Sequence, residues 1–88
     1  MTDVNKVRLP KWMPNKPALW FKMCETRRMS VADLSETKPE HQIKMFALIL
    51  RELPEKVVLT VETQITDPVD KSQYTDLKAA ILGMSRYN

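Results

Sequence analysis

Cys24 and His41 are the only thiol and the only imidazole in the chain, and they bound the side-chain chemistry open to it. A thiol beside an imidazole can act as a nucleophile–base pair. That chemistry also needs a third group to orient the imidazole and donors to hold an oxyanion, and the sequence supplies neither. One cysteine with one histidine falls short of the four ligands of a structural zinc site. A lone glycine, Gly83, cannot build the glycine-rich loop that cradles phosphate. The carboxylates are scattered, with none placed where burial would clearly shift its pKa. The expectation is therefore a protein that is not an enzyme and takes no cofactor or metal. Cys24, one helical turn from Trp20, reads as a small buried hydrophobe. His41, beside Glu40 in the first turn of a helix, reads as solvated.

The elements that must position these residues are helices. With 43% apolar and 28% charged residues, the 88-residue chain is ordinary for a single globular domain. Its small core should give a net stability on the order of 3–5 kcal/mol. One glycine argues against a sandwich or barrel, whose turns need positive φ, and leaves six prolines to punctuate the chain. A single cysteine makes no internal disulfide, so the fold does not depend on an oxidising compartment. The longest apolar run, "MFALIL", is far shorter than the ~20 residues that span a bilayer. The N-terminus has neither a signal-peptide core nor a myristoylation glycine. An intracellular, cytoplasmic protein without membrane insertion is expected.

Residues 1–16 read as an extended N-terminal strap, because three prolines in "LPKWMPNKP" block an early helix. Its Leu9, Trp12 and Met13 are apolar enough to need cover. A helical domain, residues 17–88, follows. Its first helix starts at Pro17 with Asn15 as cap, and Trp20, Phe21, Cys24 and Arg28 share a face with Leu19 and Met23 widening it. Lys22, Glu25 and Thr26 fall on the other side. A loop or short turn follows through "RRMSVADLS". "TKPE" at 37–40 is a capping box for the second helix, whose Ile43, Phe46, Ala47, Leu50 and Leu53 form a core stripe, broadened by Met45 and Ile49 and stopped by Pro54.

Residues 54–65 satisfy both a strand alternation and a helical stripe. A lone strand would lack a partner, so helix is expected. Asp70 with Gln73 writes another capping box, and Tyr74, Leu77, Ile81 and Met84 share the face of a last helix that frays at Gly83. Six methionines could line an adaptable groove, although Met45 and Met84 read as core filler. The fold class is all-α: a compact bundle of four or five short helices with a strap.

Charge is uneven. Residues 1–28 hold seven basic residues against Asp3 and Glu25, a local net of +5, while the other sixty residues are net −2. Such a front end could attract RNA or anionic lipid, with Lys6, Arg8 and Lys11 as contacts. Scattered lysines also simply keep an apolar segment soluble.

The succession "LPKWMPNKPALWFKMCE", "SETKPEHQIKMFALILRELPEKV" and "YTDLKAAILGMS" resembles the N-terminal capsid domain of Gag polyproteins from Ty3/gypsy-type LTR retrotransposons, especially the invertebrate type. The matching features are Pro17, Trp20 and Phe21 in a Pro-x-x-Trp-Phe helix start, then Thr37 and Lys38. The Leu53–Pro54 step and the Tyr-x-x-Leu-Lys of Tyr74, Leu77 and Lys78 complete them. The likeness covers about residues 7–86. It departs at Lys16, where the family often has Asp, and no second capsid lobe, zinc knuckle or protease is present to carry over.

The resemblance implies a capsid-type helical fold with Trp20 and Phe21 as the aromatic anchor. It also implies assembly through weak contacts of the chain with itself, in a live or domesticated element. Two other functions are weighed against that: a domesticated adaptor taking a host-protein peptide in an apolar groove near Leu9, Trp12 and Met13, and a small RNA-binding domain using the basic front end.

Overall fold

The computed structural model describes residues 8–66 and 71–86. Among them the order is α1 (Pro17–Met23), continuing without interruption into a π-helical segment (Cys24–Met29), then α2 (Pro39–Glu52), α3 (Glu55–Thr60), α4 (Glu62–Thr66) and α5 (Gln73–Arg86). Taking α1 with its continuation, and α3 with α4, these make four helical tracts, and the described residues include no strand. The radius of gyration, 12.3 Å, matches the ~12 Å of a compact domain of this length. No helix among the described residues is long and apolar enough to cross a membrane.

Proline sets where the helices begin. A residue preceding proline is pushed out of the helical region, so it cannot be the first helical residue and becomes the N-cap. Lys16 (φ −143°, ψ 63°) precedes Pro17, and Lys38 (φ −103°, ψ 121°) precedes Pro39. Neither start has a side-chain cap, so Asn15 does not cap α1 and Thr37 does not form a capping box with Glu40. Both expected caps sit one residue too early. Thr37 pairs its hydroxyl with Ser35 instead, at 2.7 Å. The Asp70–Gln73 box involves a residue outside those described.

The π-helical widening of α1 decides which side chains enter the core. At helical spacing Arg28 would follow Cys24 inward, at a large desolvation cost. With bonds five residues apart the next inward position is Met29, which is 1% exposed, and Arg28 stays in solvent. Glu25 also turns toward α5 and is half-buried against it.

On α2 the buried positions are Gln42, Met45, Leu48 and Ile49, with Leu53 just beyond the helix. The expected stripe is rotated by about one position. Ile43, read as core, is 57% exposed, Ala47 is exposed, and Phe46 and Leu50 are half-buried against the core. Gln42 is buried on the inward face with its amide bonded to Glu36 and Thr75.

Residues 55–66 are helical, interrupted at Val61 (φ −108°, ψ 27°), which is buried together with Val57. α5 packs against α1, α2 and α4, burying Tyr74, Leu77 and Ile81. Gly83 does not end α5, which runs on to Arg86.

Candidate functional site

Four aromatic rings form a ladder from the strap to α5. Trp12 meets Trp20 edge-on at 4.9 Å, Trp20 meets Phe21 at 5.0 Å, and Phe21 meets Tyr74 at 6.2 Å, all within the favourable range for T-shaped pairs. Trp20 and Phe21 are fully buried, as are Cys24, Leu77 and Ile81, with Leu53 nearly so. The strap lies on this ladder. Leu9 is buried in the core, and Trp12 and Met13 are half-buried against it. The indole N–H of Trp20 donates to the Pro10 carbonyl at 2.8 Å. Leu9 is thus a core residue and not an open surface. Arg8 and Lys11 are exposed, and Lys6 lies outside the described residues.

A polar cluster ties the segments together at the far end of the ladder. The Glu25 carboxylate accepts from the Tyr74 hydroxyl and from the Lys78 ammonium, the latter at 2.8 Å. Lys78 also reaches Glu36 at 4.0 Å. Gln42 donates to the Glu36 carbonyl and to the Thr75 hydroxyl, both at 2.9 Å, and accepts from the Thr75 N–H at 3.0 Å. Three hydrogen bonds satisfy a side chain only 2% exposed, which is the condition for burying an amide at all.

Burial, reinforced by Glu25, pushes the Tyr74 hydroxyl pKa well above its ordinary value. Burial and the neighbouring Glu25 charge also raise the Glu36 carboxyl, against the opposing pull of Lys78. No single-residue motif signals this cluster in the sequence. Its members lie up to 53 positions apart, and Glu25 reads as outward-facing unless the π-helical turn is known.

Cys24 and His41 are both engaged structurally. Cys24 has no exposed surface, and burial, with Glu25 and Glu52 nearby, pushes its thiol up to about 12, far from a reactive thiolate. His41 is half-buried and not fully solvated as expected. Its Nδ1 accepts from the Ser35 N–H at 2.9 Å, which makes it the pin of the loop ahead of α2. Among the described residues, no group of three or more His, Cys, Asp or Glu side chains could hold a metal ion.

The surface carries two features. Arg8, Lys11, Lys16, Lys22, Arg27 and Arg28 are all exposed, while Glu25, the acidic residue among them, is turned onto α5. The other is a set of exposed large apolar side chains, Leu19, Val31, Ile43 and Leu59, of which Ile43 lies near exposed Ala47 on α2, with Phe46 and Leu50 beside it half-buried against the core.

Fold and surface together define a small all-α domain whose polar clusters join its own segments and whose outward features are an apolar helix face and a basic front. The chain belongs to the family described as Domain of unknown function (DUF7041), whose model matches residues 9–87. The matched span opens at Leu9, the strap residue buried in the core. Comparison with curated proteins and with solved structures found no match.

Proposed function

We propose that this chain is a Gag-like capsid N-terminal domain that works by protein–protein contact, contributing weak interactions between copies to an assembly. The observation that carries the reading is the outward stripe of α2, in which Ile43 is 57% exposed although α2 already has a complete inward face. Large apolar side chains grouped on a surface mark interaction sites more often than isolated ones do. The ordered succession of motifs over residues 7–86 supports the capsid class, and an all-α fold is compatible with it. Fold alone does not choose a function.

Peptide capture near the strap is the weaker reading. Leu9 and Trp12 fill that region from within the chain, and a peptide would have to displace the Trp20–Pro10 hydrogen bond. RNA contact has one specific observation in its favour, the six exposed cations of residues 8–28. Among the described residues it has no exposed aromatic platform, and Trp12 and Trp20 are engaged with each other.

Presenting the 88-residue chain on a trimeric scaffold tests the assembly reading, since weak contacts gain strength through multivalency. Electron microscopy should show lattices or particles, and monodisperse trimers would count against it. A parallel titration with single-stranded RNA at two salt concentrations separates the RNA reading. Tight, steeply salt-dependent binding that charge reversal at Lys6, Arg8 and Lys11 abolishes would replace assembly with RNA recognition.

A further inference from the structure

We infer that the outward face of α2 is self-complementary, so that two copies of this chain pack their α2 helices antiparallel about a two-fold axis between Phe46 and Ala47. The inference rests on the assembly reading and adds its surface and its occupant.

The two large aliphatic ends of the face, Ile43 and Leu50, exchange places when it is reversed. Ile43 and Leu50 are seven residues apart, close to two helical turns, and so lie on one line along the helix. Reversing a copy about the midpoint between residues 46 and 47 sets Ile43 against the partner's Leu50 twice; Phe46 and Ala47 lie on opposite flanks of that line, so the two-fold brings Phe46 beside the partner's Phe46 and Ala47 beside the partner's Ala47. Small Ala47 side chains meeting beside the axis let the two helices approach closely. Ala47 is exposed, and Phe46 is half-buried against the core.

Charge fits the antiparallel direction. Glu40 and Arg51 are eleven residues apart, close to three turns, and flank the same edge of the stripe. An antiparallel two-fold keeps that edge on the same side in both copies. It brings Glu40 to within about 3 Å, measured along the axis, of the partner's Arg51. A guanidinium has five donors and can serve this carboxylate in addition to a group of its own chain.

An isologous contact must be complementary to itself, a constraint that a surface for an unrelated partner does not obey. Four apolar side chains per copy cover well under the ~800 Å² per partner of a standard interface, so the pair is weak, with Kd of about 0.1–1 mM. A net charge of +3 offers little repulsion against it.

Sedimentation and concentration-dependent NMR of the 88-residue chain up to about 2 mM should show a monomer–dimer equilibrium with shift changes centred on residues 40–51. Ile43→Asp should weaken it tenfold or more. Because Ile43 is exposed, the variant should keep its circular dichroism and melting point. Ala47→Cys sits beside the axis and should form a disulfide-linked dimer under mild oxidation. Cysteine at the exposed α1 position, Ala18→Cys, should not, and buried Cys24 should stay silent.

A strictly monomeric chain at 2 mM, or equal cross-linking at positions 47 and 18, would overturn the inference. If scaffolded Ile43→Asp assembles as the parent does, the α2 contact is wrong while the assembly reading stands. If the scaffolded parent does not assemble, it is the assembly reading that fails.

Discussion

The Trp20 indole N–H donates to the Pro10 carbonyl at 2.8 Å, joining the middle of α1 to a strap ten residues earlier. That bond satisfies the one polar atom of a ring with no exposed surface. It also holds a proline-broken segment, which cannot make helical bonds of its own, against the core.

Trp20→Ala should cost about 3–5 kcal/mol, the range for emptying a large aromatic core site, and so should unfold much of the population. Trp20→Phe keeps most of the apolar volume and loses the donor, with an expected cost of about 1–3 kcal/mol. Chemical denaturation checks both. In the Phe variant, amide exchange should accelerate first in residues 8–13; uniform acceleration would show that the strap does not depend on this bond.

Alkaline pH should destabilise the fold through Tyr74 and Cys24. Both native pKa values lie above the unfolded ones, so the native state holds these protons more tightly. Stability from each group is complete below its unfolded value, about 8.5 for a thiol and about 10 for a phenol, and falls as pH rises beyond it. Cys24→Ala should flatten the decline that begins near pH 8.5, and Tyr74→Phe the steeper part above about pH 10. Denaturation midpoints across pH 7–11 would read this directly. Unchanged slopes in both variants would mean that these groups ionise freely in the native state.

Glu36 should act in the opposite sense to most carboxylates. Its pKa is raised by burial and by Glu25, so it favours the fold when protonated, an effect present at low pH and lost as pH rises through its native value. Glu36→Gln, which mimics the protonated form, should leave the melting temperature at neutral pH equal to or above that of the parent. A clear drop would show that the Lys78 contact at 4.0 Å outweighs the repulsion between the two carboxylates.

Gly83→Ala should stabilise the domain by about 0.5–1 kcal/mol. Gly83 lies inside α5, and a Cβ built there meets nothing within 4 Å, so the substitution improves helix propensity without a clash. A higher melting temperature is the expected readout; a lower one would place residue 83 in a conformation other than helix.

Much of the fold was legible in the residues themselves. One glycine and six prolines pointed to helices, the proline positions mark the starts of α1 and α2, and the spacing of Tyr74, Leu77 and Ile81 gave the buried face of α5. These are local matters of backbone sterics and of a stripe narrow enough to have one inward orientation.

Tertiary structure decided the rest. α2 is apolar around most of its circumference, so periodicity alone left its rotation open; in the fold Met45 and Ile49 lie inward with Gln42, which bonds with Glu36 and Thr75, and Ile43 lies out. The π-helical turn after Cys24 likewise exchanged Arg28 for Met29 in the core and brought Glu25 to Tyr74 and Lys78, some fifty residues away. Helix type and hydrophobic period are properties of neighbouring residues, whereas the angle at which each helix faces the core depends on partners that only folding supplies.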